Sequence, residues 1–113
     1  MQTAKLYAGD KMVVARLEIA TGFRRRFLGL MGRKEIEKDY GLFFPKCNNI
    51  HSMFMKTEFD LAFTDKKMVI TEIIEKVAPW KIISSKKSTH CFELAPGKVA
   101  EMEMNIGQLL VIR

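Results

Sequence analysis

A chain of 113 residues has room for one domain and one core, and at this size folding hides roughly 65% of the surface that the unfolded chain exposes. With 48% apolar and 28% charged residues the composition is that of an ordinary globular domain, and no run reaches the roughly 18 apolar residues of a membrane span. The formal charge of +6 raises nucleic acid as a partner, but the excess is scattered and comes without an RNP aromatic pattern, a GXXG clamp or a cysteine–histidine finger.

In chain order, the opening "MQTAKLYAGDKMVV" lacks a basic patch followed by an apolar stretch and so does not read as a signal peptide; a cytoplasmic location is expected. "MVVARLEIA" alternates, with Val13, Ala15, Leu17 and Ile19 on one face and Arg16 and Glu18 on the other, the pattern of a half-buried strand. "TGFRRRFLGLMGRKE" changes period: Phe23, Phe27, Leu30 and Met31 form one stripe of a short helix, with Thr21 as N-cap and Gly32 as its stop. "KEIEKDYG" adds a further helical turn.

From Tyr40 onward the reading is β. "YGLFF", "NIHSMFM", "FDLAFTD", "MVITEIIEKV", "WKIIS" and "THCFELA" are successive short strands. Asp65-Lys66-Lys67 makes a hairpin turn that Asp65 starts by capping backbone N–H groups. "APGK" offers the Pro-Gly pair of a type II turn, "VAEMEMN" one or two helical turns, and "QLLVIR" a closing strand. The expected fold is α+β, mainly antiparallel β: a small curled sheet or barrel with one or two short helices, in a single domain spanning 1–113.

In this order and at these intervals "RRRFLGLMGR", "YGLFF", "NIHSMFM", "DLAFTD", "APW" and "FELAPG" closely resemble the uncharacterised bacterial and archaeal family numbered 192 among the domains of unknown function. The matching positions include Gly29, Arg33, Gly41, His51, Phe54, Met55, Asp60, Asp65, Pro79, Trp80, Glu93, Pro96, Gly97 and Gly107. The resemblance implies a small β-rich domain without an assigned biochemical role. Two departures stand out: Lys66-Lys67 replaces a frequent Asp-Gly, and Gly107-Gln108 replaces a frequent Gly-Asp.

Four residues are candidates for ligand binding: Arg33, His51, Asp60 and Glu93. In a strand through "IHSMFM", His51 shares a face with Met53 and Met55, and its imidazole either finds structural partners or meets a ligand. Asp60 and Glu93 each sit among apolar neighbours, where a carboxylate needs a partner. Arg33 can grip either one in a bridge between helix and sheet, or hold an anionic ligand with the same guanidinium.

A zinc site from Cys47, His51, His90 and Cys91 is disfavoured, because neighbouring strand residues project to opposite faces and His90 and Cys91 then cannot share an ion. No metal and no cofactor is expected, and the two cysteines read as thiols in a reducing compartment. The favoured function is a non-enzymatic binding or accessory domain with a small-molecule or protein ligand near Arg33 and His51. The alternatives are an enzyme using His51 as general acid/base beside a carboxylate, and a basic nucleic-acid-associated protein. Nucleic acid is the disfavoured partner, and no membrane partner is expected.

Overall fold

Alternating apolar residues commit most of the chain to strands that bury one face or both. The computed structural model describes residues 3–20 and 34–113. Thr3–Ala8 (β1) and Lys11–Ile19 (β2) make a hairpin whose last pair, Ala8 with Lys11, leaves only Gly9 and Asp10 in the turn. Gly9 has a φ of 63°, the left-handed geometry that two-residue hairpins demand. Strand β1 is absent from the sequence reading, although Ala4, Leu6 and Ala8 alternate with Lys5 and Tyr7 directly before this turn.

Tyr40–Phe44 (β3) pairs in parallel with β2, so the sheet is not antiparallel throughout. Asn49–His51 (β4) is followed by Phe59–Thr64 (β5), Ile70–Val77 (β6), Ile82–Ser84 (β7), His90–Leu94 (β8) and Leu110–Ile112 (β9). Among the described residues one sheet has the order β6-β5-β8-β3-β2-β1-β9, and β4 and β7 form a separate two-stranded ribbon. The sheet curls into a half-barrel. Its outer strands approach each other where Ile70 N donates to Gln108 O (2.9 Å) and Gly107 N donates to Ile70 O (2.8 Å).

Asp65 starts the β5–β6 turn as expected: its Oδ1 accepts from Lys67 N at 2.8 Å and Val69 N at 3.1 Å. Ala95–Lys98 is the type II turn, with Gly97 at φ 87° and ψ −6° and Lys98 N donating to Ala95 O at 3.1 Å. It leads into a four-residue helix, Lys98–Glu101 (α1). Residues 34–39 are irregular and not the helical turn expected there; Glu37 O accepts from Tyr40 N, which turns the chain directly into β3. The helix expected over Thr21–Gly32 lies outside the described residues.

The strand residues sort onto two faces. Leu6, Val14, Leu17, Phe43, Ala62, Phe92 and Leu94 pack with Val99 and Met104 in one cluster. Leu42, Phe44, Phe59, Leu61, Phe63 and Cys91 pack in the other, against which Cys47, Ile50 and Ile83 rest. The ribbon therefore lies on the second face and is seated there by the paired Ile50 and Ile83. Gly41 is required where β3 meets β8: a Cβ there would stand 3.0 Å from Leu94 Cδ2 and 3.3 Å from the Glu93 carbonyl oxygen.

Candidate functional site

Asp60 and Glu93 are both buried, yet alternation sends them to opposite faces of the sheet. Asp60 pairs across β5 and β8 with Leu94, on the side of the first cluster. Its two oxygens are engaged by main-chain donors, Oδ1 by Lys76 N and Oδ2 by Val99 N, each at 2.9 Å. Lys76 has a φ of 52° at an irregularity in the β5–β6 pairing, and Val99 lies in α1. Asp60 thus fastens a bent strand and a short helix to β5, and that structural task uses its carboxylate.

Glu93 differs. It faces the second cluster from β8, between Leu42 on β3 and Leu61 on β5. Among the described residues its Oε1 finds no hydrogen-bond partner. Burial pushes its carboxyl up to about 8, and the nearby Cys47 adds to the rise. At neutral pH the group is consequently a neutral acid, able to donate one hydrogen bond and accept others. The Cys47 thiol donates to Asn49 O at 3.0 Å, at the start of the ribbon.

His51 ends β4 opposite Ile82 and is half-buried. The strand expected to run on through Met55 stops here, so the facing assigned to Ser52, Met53 and Phe54 by strict alternation does not hold. Ser52 is the reason. Its Oγ donates to Ala78 O at 2.6 Å and accepts from Lys81 N at 2.8 Å. Its own N–H donates to Lys81 O, and its carbonyl accepts from Trp80 N and Met55 N. This buried serine turns the chain and staples residues 52–55 to residues 78–81. On the outside of the staple Phe54 and Trp80, both at φ 66°, meet edge to face with centroids 4.8 Å apart.

The structure therefore brings Glu93, Cys47 and the His51 ribbon to one side of the sheet and leaves Asp60 on the other. Strand parity separates Asp60 from Glu93: β5 turns Phe59, Leu61 and Phe63 to the ribbon side, which commits Asp60 to the opposite one. Arg33 and Gly29 lie outside the described residues. His90 and Cys91 project to opposite faces; the His90 Nδ1 accepts from Lys46 N at 2.9 Å and its ring lies against Phe43, while Cys91 is in the second cluster. Burial holds the His90 imidazole below its usual range. No group of three metal-ligating side chains occurs among the described residues.

Sequence reasoning missed Ser52, Phe54 and Trp80 as a unit. The strand pattern hid the turn, and the signal that could have exposed it was two large aromatics, each with a lysine one or two residues on: Lys56 after Phe54 and Lys81 after Trp80.

Fold and site together define a small, mostly antiparallel β domain that keeps an acid buried on the side of its sheet carrying a short ribbon. Two solved structures share this fold. One is described as a putative transcription regulator from Sinorhizobium meliloti, with a TM-score of 0.86 and 21% identity, covering 98% of this chain and 94% of the other. The second is described as a protein of unknown function from Novosphingobium aromaticivorans, with a TM-score of 0.82 and 17% identity, covering 96% and 83%. No curated protein matches the chain. Residues 4–112 match the family of domains of unknown function numbered 192, described as "Uncharacterized ACR", and the chain belongs to that family.

Proposed function

We propose that this is a non-enzymatic binding or accessory domain whose small-molecule or protein ligand is met on the ribbon side of the sheet, at Glu93. One observation carries the reading: a buried carboxyl oxygen with no hydrogen-bond partner among the described residues. Leaving such a group unsatisfied costs about 1–3 kcal/mol, and a ligand that supplies the missing partner recovers that cost. The neutral acid suits an uncharged donor or acceptor better than a cation, because a cation would first have to draw the proton off. Asp60, a candidate carboxylate, is occupied on the other face, so it does not serve as His51's partner in acid/base chemistry.

The test is a thermal-shift screen of the full chain against a panel of metabolites, repeated with Glu93→Gln. The reading expects a hit whose shift disappears in the variant while it still unfolds cooperatively. Hits indifferent to the substitution would contradict it, as would a panel without hits.

A further inference from the structure

The outer surface of the ribbon carries features that a ligand at Glu93 does not use. Segments 46–57 and 78–92, which contain β4 and β7, hold Lys46, Lys56, Lys81, Lys86 and Lys87 and no Asp or Glu. All five lysines are exposed. Residues scattered along the sequence are thus gathered by the pairing of β4 with β7 into one basic module. Acidic groups border it: Glu72 on β6 is engaged by the Ser85 hydroxyl at 2.7 Å, Asp65 acts on His90, and Glu58 follows segment 46–57.

At one end of this module Phe54, Trp80 and Ile82 are 57%, 60% and 73% exposed. Ile82 occupies the outward position of β7, since its neighbour Ile83 packs inward. Phe54 and Trp80 are held outward at left-handed backbone positions, a conformation that costs a bulky residue roughly 1 kcal/mol or more and persists only where the surroundings enforce it. The Ser52 hydrogen bonds are that enforcement. Lys81 lies between Trp80 and Ile82 in the chain, and Lys56 follows the Phe54 loop.

We propose that this end of the ribbon is a contact site for an anionic membrane surface. Phe54, Trp80 and Ile82 enter the headgroup boundary, and the lysines meet acidic lipid headgroups. Aromatic rings with lysines beside them are the side chains that settle at this depth, the rings at headgroup level and the ammonium groups reaching outward.

A protein partner fits less well. The ribbon's strands are three residues each, about 10 Å long, and the exposed apolar surface there is one edge-to-face aromatic pair and Ile82. A specific protein interface needs a continuous patch of roughly 800 Å² on each partner. Single-stranded nucleic acid would use the aromatics as stacking faces, but edge-to-face packing covers part of that surface and leaves Ile82 without a role. The described residues contain no helix long and apolar enough to cross a membrane; that observation concerns crossing, whereas the contact proposed is peripheral and stands independently of the ligand reading at Glu93.

The chain has one tryptophan, so Trp80 itself reports. Full-length protein is mixed at low salt with vesicles of equal parts phosphatidylglycerol and phosphatidylcholine, or of phosphatidylcholine alone, and followed by co-sedimentation and Trp80 emission. The expected result is binding to the anionic vesicles, a blue shift on binding, loss of binding as salt rises, and little partition into phosphatidylcholine. Ile82→Glu should weaken binding about tenfold or more, and Lys81→Glu about fivefold or more, both with unchanged thermal unfolding. Glu93→Gln should bind vesicles as the parent chain does, which separates this proposal from the ligand reading. Absence of binding to anionic vesicles would overturn it. So would binding without a blue shift or unaltered by Ile82→Glu, both marks of charge-driven adhesion alone, or tighter capture by a single-stranded oligonucleotide under the same conditions.

Discussion

Two buried carboxyl groups in neighbouring strands are handled in opposite ways. Asp60 accepts a main-chain N–H at each oxygen, whereas Glu93 is held neutral by the apolar face around it. For Asp60→Asn, one of the two acceptors becomes an NH₂ facing a buried N–H; we expect a loss of about 1–3 kcal/mol in urea unfolding, with cooperative folding retained. The sign for Glu93 follows from linkage. Its proton leaves the unfolded chain near the ordinary value of 4.5 but leaves the folded one only at about 8. Between those values the folded state holds more protons, so stability falls as pH rises, by at most about 1.4 kcal/mol per unit, and the fall ends above pH 8 or so. Glu93→Gln should flatten this part of the curve and be the more stable form at alkaline pH. A series of urea midpoints for the two proteins reads the difference directly, and parallel curves would refute it. At this scale the sequence indicated only that Asp60 and Glu93 are carboxylates among apolar neighbours. Which of them would be satisfied depended on a bend at Lys76 and the placing of α1, neither of which leaves a local signature.

At the scale of elements, Gly41 and Ser52 fix how strands meet. A methyl at Gly41 would press on Leu94 and on the β8 backbone, and backbone yields little. Gly41→Ala is therefore expected to cost about 1–3 kcal/mol, measured by thermal or chemical unfolding. Ser52→Ala removes one donor and one acceptor inside the staple. A loss of about 1–3 kcal/mol should be accompanied by easier quenching of Trp80 emission by acrylamide, as the two loops separate. Most of the elements were legible. The alternation of "FDLAFTD" and "THCFELA", the Asp65 turn and the Pro96-Gly97 turn all follow from period and turn chemistry. The end of β4 at His51 did not, because "IHSMFM" alternates well enough to pass for a strand, and only the long-range hydrogen bonds of Ser52 break it. Strand β1 was overlooked although its short alternation and Gly9-Asp10 turn were present. Residues 34–39 suggested a helical turn by composition alone; the turn at Glu37–Tyr40, which delivers the chain into a parallel pair with β2, prevailed over that propensity.

Across the whole molecule, a curled sheet offers two faces, and the distribution of charge and polarity between them gives the functional reading its form. One face packs around α1 and uses Asp60 to hold it. The other carries the ribbon, the buried acid and the basic outer surface. A mainly antiparallel curled sheet was foreseeable from many short strands separated by turns. The parallel β2–β3 pair and the separation of the ribbon from the main sheet were not, since both arise from contacts between residues far apart in sequence. For the same reason the excess positive charge looked dispersed, although β4 and β7 collect five lysines. The claim on which the ligand reading rests is that Glu93 stays protonated at neutral pH on the ribbon side of the sheet. The most direct measurement is a carbon-13 NMR titration of the glutamate carboxyl signals, with the Glu93 resonance assigned by its loss in Glu93→Gln. The account predicts a midpoint at about 8, well apart from the exposed glutamates; a Glu93 signal that titrates in the ordinary carboxylate range would contradict it.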